Sequence, residues 1–203
     1  MNRAVMLSIR PKWVEKIASG EKTIEVRKTR PKLETPFKCY IYCTMDYPYI
    51  SVSCGKLDKL DYRTNTVGRC NGKVIGEFTC DRIYEIRKRG IPENFDYCYL
   101  SLNEWGNDDI EVEIKAISAS CVSKEELNAY GAKAPRLYGW HISGLKIYDT
   151  PKELSNFSRP FENCIGKVCD EFGCALCENG GYIKRPPQSW CYVEAMEDEN
   201  DKV

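Results

Sequence analysis

Three charged side chains that could bind one ligand lie close together in the segment from Gly20 to Arg27. Gly20 favours a tight turn, and Thr23–Arg27 is predicted to be a strand. Because strand side chains alternate between faces, Glu25 and Arg27 share a face with Thr23. Lys22 precedes the strand on that polar side, so a ligand could meet a lysine, a carboxylate and an arginine together. The pattern is also typical of a solvent-facing strand in which Glu25 and Arg27 form an ordinary ion pair.

Basic residues continue after this strand with Lys28, Arg30 and Lys32. Residues 1–40 hold ten Lys or Arg against four Glu, a surplus of +6. Residues 161–203 hold four Lys or Arg against nine Asp or Glu, a deficit of −5, and the whole chain has a net charge of zero. A basic N-terminal part can attract phosphate groups. Two alternatives stay open. The acidic residues 161–203 could neutralise the basic N-terminal part within the molecule, or the basic residues could form a solvated face.

Short strands separated by two helices give the chain an α+β pattern. Pro11 suits the first turn of the first helix, which ends at Gly20. Ser123 is the N-cap of the second helix, Glu126 stands in the capping-box position, and Gly131 ends it. The strands are predicted over residues 5–9, 23–27, 37–44, 72–86, 109–119, 138–148 and 189–195.

The spacing G-x-K-x-x-E-x-R over residues 20–27 resembles the signature of the ASCH domain family. Residues 72–78 and 138–149 resemble further strands of that family, and the resemblance covers about residues 4–150. It implies a PUA-like fold, a small β-barrel with flanking short helices. The whole chain also resembles bacterial and phage ASCH proteins that end in a segment similar to PPQSWCYVE.

The resemblance divides the chain into an ASCH or PUA-like domain over residues 1–150 and a Cys-rich C-terminal extension over 151–203. Residues 45–71 show no clear period, so we predict a long loop or insertion that could cover the polar face of the motif strand. The last strand is expected to pack back on the barrel through Trp190 and Tyr192.

The resemblance implies a cleft that recognises RNA or a nucleotide. In that reading the ligand meets the motif residues Lys22, Thr23, Glu25 and Arg27 together with the basic residues Lys28 and Arg30. The cations would contact phosphate, and Glu25 would accept hydrogen bonds from a base edge. Trp13, or tyrosines of residues 45–71, could stack on a base.

An enzyme is the second hypothesis, because some ASCH proteins are amidohydrolases of a modified nucleoside and others are described as ribonucleases. The catalytic residues would then be Lys22, as an oxyanion stabiliser, and Glu25, as a general base. Glu25 occupies the position of the threonine nucleophile of the amidohydrolases, and the neighbouring cations weaken a carboxylate as a base. His141 is the only histidine, so a His-dependent triad is disfavoured.

Five of the twelve cysteines are grouped near the C-terminus, at Cys164, Cys169, Cys174, Cys177 and Cys191. Two cysteines separated by two residues can reach one tetrahedral ion, and a structural zinc site needs four ligands. The group therefore predicts a structural zinc with one cysteine to spare, holding a segment too polar to fold alone. Reduced thiols are the main alternative, and a disulfide is disfavoured without a secretion signal.

No apolar run approaches the roughly 20 residues needed to span a bilayer, and the first residues lack the apolar core of a signal peptide. We therefore expect no membrane association and a cytoplasmic location, in a bacterium or in a cell infected by a phage. A third hypothesis is a protein-interaction module that uses the zinc-held C-terminal segment.

Overall fold

A computed structural model describes residues 3–53, 56–59, 69–89, 96–100, 118–160 and 181–196. The chain forms two compact units, the first from residues 1–14, 37–78 and 146–203 and the second from residues 15–36 and 79–145. The first part of the chain contains β1 (Arg3–Ile9), α1 (Pro11–Ala18), β2 (Ile24–Arg27), β3 (Phe37–Cys43), β4 (Ile50–Ser53), β5 (Lys56–Lys59) and β6 (Val74–Cys80). The rest contains β7 (Ile83–Arg89), β8 (Asp96–Leu100), α2 (Lys124–Gly131), β9 (Arg136–His141), β10 (Ser143–Lys152) and β11 (Trp190–Glu194).

The first unit is built on a five-stranded sheet in the order β10-β6-β3-β1-β11. In this sheet β1 is parallel to β3 and antiparallel to β11. One face packs into an apolar cluster in which Tyr40 meets Phe157 edge-on, with ring centroids 4.9 Å apart. The Tyr40 hydroxyl accepts a hydrogen bond from the backbone N–H of Met196 at 2.7 Å, so the segment after β11 is tied to this cluster.

The second unit is built on a four-stranded sheet in the order β2-β9-β7-β8, with antiparallel pairs throughout. Ile24 and Val26 of β2 join Leu137 of β9 and Ile86 of β7 in one apolar cluster. Leu127 of α2 completes the cluster, so the helix packs on this face of the sheet. The capping box predicted for α2 is confirmed, with Ser123 and Glu126 bonding each other's backbone N–H groups.

The closed barrel predicted from the family resemblance is wrong: within the described residues both larger sheets are open, with β10 and β11 at the edges of one and β2 and β8 at the edges of the other. The cause is visible where one closing strand was predicted over residues 138–148. Ile142 interrupts it, and its N–H donates to the carbonyl of Thr23. The chain therefore enters the two sheets as separate strands, β9 and β10, instead of continuing around a barrel. The described structure is mostly β-sheet with few helices.

Other predicted elements also changed. The strand predicted over residues 72–86 is divided into β6 and β7 by Asp81 and Arg82. Residues 118–120 are helical, where the end of a strand was predicted over 109–119, and the rest of that range lies outside the described residues. The region 45–71 contains the antiparallel pair of β4 and β5.

The last strand returns to the sheet as predicted, because β11 pairs with β1. The face that packs on the apolar cluster is the opposite of the predicted face of Trp190 and Tyr192. Val193 is fully buried and Cys191 packs against the same apolar cluster. Trp190 and Tyr192 point to the other face, where their rings meet edge-on at 5.4 Å. Side chains alternate along a strand, so Cys191 and Val193 share one face of β11 and Trp190 and Tyr192 share the other. Among the described residues, no helix is long and apolar enough to cross a membrane.

Candidate functional site

The motif strand is positioned by backbone contacts on both sides. Gly20 adopts φ +79°, the left-handed conformation that ends α1 and favours glycine. The N–H of Lys22 then donates to the carbonyl of Lys16, and the N–H of Thr23 donates to the carbonyl of Ala119, each at 2.9 Å. In β2, Glu25 lies opposite Trp140 of β9. The alternation predicted for this strand is therefore confirmed, with the apolar cluster on one side and the charged residues on the other.

The structure brings the three charged motif residues into direct contact. Lys22 Nζ is 3.3 Å from Oε2 of Glu25, and Arg27 Nη2 is 3.0 Å from Oε1 of the same carboxylate. Lys22 Nζ also donates to the backbone carbonyls of Ile24 at 2.8 Å and Ser120 at 2.7 Å. We call Lys22, Glu25 and Arg27 the buried ionic network.

Burial is the feature that sequence reasoning missed in this network. The exposed fractions are 1% for Lys22, 6% for Glu25 and 6% for Arg27, and Trp140 beside them is fully buried. The alternative prediction, a solvent-facing ion pair of Glu25 and Arg27, is therefore wrong about exposure. The ion pair itself is present, but it is buried. Alternation predicts which residues share a face, but it does not predict that the polar face is covered as completely as the apolar one.

The chemistry open to the buried ionic network is limited by its own contacts. Each oxygen of Glu25 already meets a cation, so a base role would require breaking one of these ion pairs. Lys22 points its ammonium at two backbone carbonyls as well as at Glu25. The arrangement therefore serves rigidity more directly than proton transfer. The roles of Lys22, Thr23, Glu25 and Arg27 in ligand binding or catalysis stay predictions.

Exposed positive charge begins immediately after β2. Lys28, Arg30 and Lys32 are all exposed. The ammonium of Lys28 lies 5.0 Å from the ring centroid of Tyr130 on α2, and this tyrosine is 38% exposed. Partial burial raises the pKa of Tyr130, against the opposing effect of Arg27, so the phenol is neutral at physiological pH. An aromatic ring and the ammonium of Lys28 thus share the surface next to the buried ionic network, and Arg30 and Lys32 follow in the sequence.

The aromatic residues proposed for base stacking have different exposures. Trp13 is partly buried, and the ammonium of Lys12 lies 4.1 Å from its ring centroid. Tyr47 is 76% exposed and Tyr49 is partly buried, with their ring centroids 6.3 Å apart.

A pair that the sequence did not predict joins the single histidine to an aspartate. Nδ1 of His141 donates to Oδ1 of Asp81 at 2.6 Å. Partial burial alone would raise the pKa of Asp81, but the hydrogen bond from His141 and the charges of His141 and Arg82 lower it overall. The two residues are separated by 60 positions, so no local pattern could have indicated the contact.

Four of the predicted zinc ligands, Cys164, Cys169, Cys174 and Cys177, lie outside the described residues. The fifth, Cys191, is in β11 and packs against the apolar cluster of the first unit. The described ranges contain no group of three or more potential metal ligands. The zinc site therefore stays a prediction, and Cys191 is the candidate whose environment is visible.

Substitution of Glu25 should test the buried ionic network as a stabilising unit. We expect Glu25→Ala to lower the free energy of unfolding by about 3–5 kcal/mol, because it leaves two buried cations without their carboxylate. Urea unfolding followed by circular dichroism would measure the change. Glu21→Ala is the matched control, because Glu21 forms an exposed pair with Lys16 at 3.1 Å. Equal stability of the two variants would contradict a buried network.

The Asp81–His141 pair should make a small, pH-dependent contribution to stability. A carboxylate whose native pKa lies below its ordinary value of 3.8 stabilises the fold above that pH. The contribution disappears as the pH falls through the lowered native pKa. We expect Asp81→Asn to reduce the melting temperature at neutral pH, and we expect its difference from the wild-type protein to shrink progressively as the pH falls below 3.8. A difference that persists unchanged at the acidic end would exclude this origin.

No family model and no curated protein matches the sequence. Among solved structures, the crystal structure of ASCH from Zymomonas mobilis aligns with 94% of this chain and 87% of its own, at 14% identity and a TM-score of 0.49. Tyr-to-Phe and Ser-to-Ala mutants of that protein also align with 94% of this chain at 14% identity, with 90% and 88% of their own chains covered and TM-scores of 0.48. All three are structures of an ASCH protein from Zymomonas mobilis.

Proposed function

We propose that this protein binds RNA or a nucleotide through the basic surface that follows β2. This surface consists of Lys28, Arg30, Lys32 and Tyr130, and we call it the β2 basic surface. The observation that supports the proposal is the position of Lys28, whose ammonium lies 5.0 Å from the exposed ring of Tyr130. Cations beside an aromatic ring suit a ligand that has both phosphates and bases.

The buried ionic network has a supporting role in this proposal. It fixes Arg27, the last residue of β2, through the ion pair with Glu25 at 3.0 Å. Lys28 is the next residue, so its backbone starts from a fixed position. A binding residue that is already positioned loses less conformational freedom when the ligand arrives. The motif would then contribute to binding by holding the β2 basic surface, and Glu25 would need no direct ligand contact.

The hydrolase hypothesis, with Lys22 and Glu25 as catalytic residues, is distinguished from binding by turnover. Both side chains are at least nine-tenths buried and in contact with each other, which gives a substrate little access in this conformation. Mass spectrometry of RNA and modified nucleosides incubated with the protein would separate the two functions. Product that is absent with Lys22→Met would favour the enzyme, whereas an unchanged pool would favour binding.

Removal of two cations from the β2 basic surface tests the binding function. We expect Lys28→Ala/Arg30→Ala to weaken binding of a single-stranded RNA of about 12 nucleotides, measured by fluorescence anisotropy. The slope of log affinity against log salt should fall in magnitude by about 1.4, because each lost phosphate contact changes it by about 0.7. Lys184→Ala is the control, since Lys184 is an exposed lysine of the first unit. An unchanged affinity and slope in the double variant would refute the proposed surface.

We also propose a structural zinc held by Cys164, Cys169, Cys174 and Cys177, with Cys191 as the spare cysteine. Cys191 supports this choice because its strand is paired with β1 and its side chain packs against the apolar cluster of the first unit. Leaving this strand to bind a metal would cost both contacts. Four thiolates satisfy a tetrahedral zinc without a fifth ligand.

Elemental analysis of variants purified without chelator would test the zinc assignment. We expect about one zinc per chain in the wild-type protein and in Cys191→Ser. Cys174→Ser should lose most of the metal, because the pair Cys174 and Cys177 supplies half of the proposed ligands. Metal-free, fully folded wild-type protein would exclude the site, and zinc loss in Cys191→Ser would instead make Cys191 a ligand.

A further inference from the structure

A buried asparagine in the first unit holds a short loop in a defined shape. Asn71 is 3% exposed, and its Oδ1 accepts from the N–H of Ile50 at 2.9 Å. Its Nδ2 faces the carbonyls of Thr44, Asp46 and Pro48 at 3.4, 2.7 and 3.1 Å. One side chain therefore contacts the backbone at four places along residues 44–50. We call this segment the Tyr47 loop.

The Tyr47 loop presents large side chains to solvent. Tyr47 is 76% exposed and Met45 is 59% exposed, although an immobilised loop could have carried small polar residues there. Gly72 allows Met45 to lie close to the backbone, since a Cβ at that position would be 2.6 Å from the Met45 sulfur. Tyr49 meets Tyr47 edge-on at 6.3 Å. The loop thus supports an exposed aromatic ring with a second ring.

The charges around this ring are suited to an anionic partner. The guanidinium of Arg69 lies 4.7 Å from the ring centroid of Tyr49. Arg10 is 72% exposed and its Nε is 3.8 Å from Oδ2 of Asp46. The same Asp46 oxygen accepts from the hydroxyl of Thr44 at 2.9 Å. Arg10 therefore partly compensates the negative charge of Asp46, the residue before Tyr47, and Arg69 lies beside the second ring of the aromatic pair.

We propose that Tyr47 stacks on a base of single-stranded RNA and that Arg10 contacts a neighbouring phosphate. This inference rests on the proposed RNA-binding function and adds a second contact region, in the first unit. Every nucleobase has a π-face, so one exposed ring can bind without strict sequence preference. Arg10, Asp46 and Thr44 bring charged and polar groups to the same loop, which suits a phosphate-bearing ligand better than a wholly apolar protein partner. Immobilisation by Asn71 reduces the entropy lost on stacking.

The stacking is tested by one substitution that removes the aromatic ring of Tyr47 but keeps a large apolar side chain, and by a second that keeps the ring. We expect Tyr47→Leu to weaken binding of a fluorescein-labelled single-stranded RNA of about 12 nucleotides roughly tenfold, the loss typical of one base–aromatic stack. Tyr47→Phe keeps the ring and should stay within about twofold of the wild-type protein. Tyr182→Ala is the matched control, because Tyr182 is 55% exposed in the same unit. Arg10→Ala should reduce the salt slope by about 0.7.

Photocrosslinking locates the contact independently of affinity. An RNA with 4-thiouridine should crosslink to the peptide that contains Tyr47, and mass spectrometry would identify it. Unchanged affinity of Tyr47→Leu, or crosslinks confined to other peptides, would overturn the stacking. If Lys28→Ala/Arg30→Ala still weakened binding, the proposed RNA-binding function would survive that result. If the wild-type protein bound no RNA, both proposals would fail.

Discussion

The buried ionic network is the constraint on which the second unit depends. Three charged groups removed from water are tolerated only when each has close partners. Lys22 meets this requirement with a carboxylate and two backbone carbonyls, one of which belongs to Ser120, 98 positions along the chain. The network therefore ties the turn before β2 to a distant helical segment. Any movement of β2 relative to that segment would leave a buried charge without its partner.

The need to keep each buried charge next to its partners explains why several contacts fix the backbone from Gly20 to Thr23. Gly20 ends α1 in a conformation that other residues adopt at a cost, and two residues later Lys22 must point into the unit. Backbone hydrogen bonds from Lys22 to Lys16 and from Thr23 to Ala119 hold that direction. On the other face Ile24 and Val26 pack against α2 and neighbouring strands. β2 is thus fixed from both sides, by the apolar cluster on one face and by the ion pairs on the other.

Local patterns predicted short-range features such as a helix cap and the alternation in β2, whereas long-range contacts decided the burial of strand faces and the breaks between strands. The capping box of Ser123 and Glu126 depends on residues three positions apart, so it could be predicted. The alternation in β2 correctly placed Glu25 and Arg27 together for the same reason. Burial of that face, the break at Ile142 and the pair of Asp81 with His141 depend on residues far away in sequence. The prediction that β11 packs through its two largest side chains was wrong, because Trp190 and Tyr192 face away from the apolar cluster that contains Val193.

Asn71 in the first unit and Lys22 in the second unit have the same structural role. Each is a buried polar side chain whose hydrogen bonds go mainly to backbone groups, of the Tyr47 loop in one case and of Ile24 and Ser120 in the other. Groups committed in this way cannot also contact a ligand without giving up those bonds, and leaving them unpaired in the interior is costly. The proposed ligand contacts therefore involve exposed neighbours of these buried groups. On this argument the motif over residues 20–27 holds a strand in place, and the proposed RNA contacts belong to exposed residues beside it.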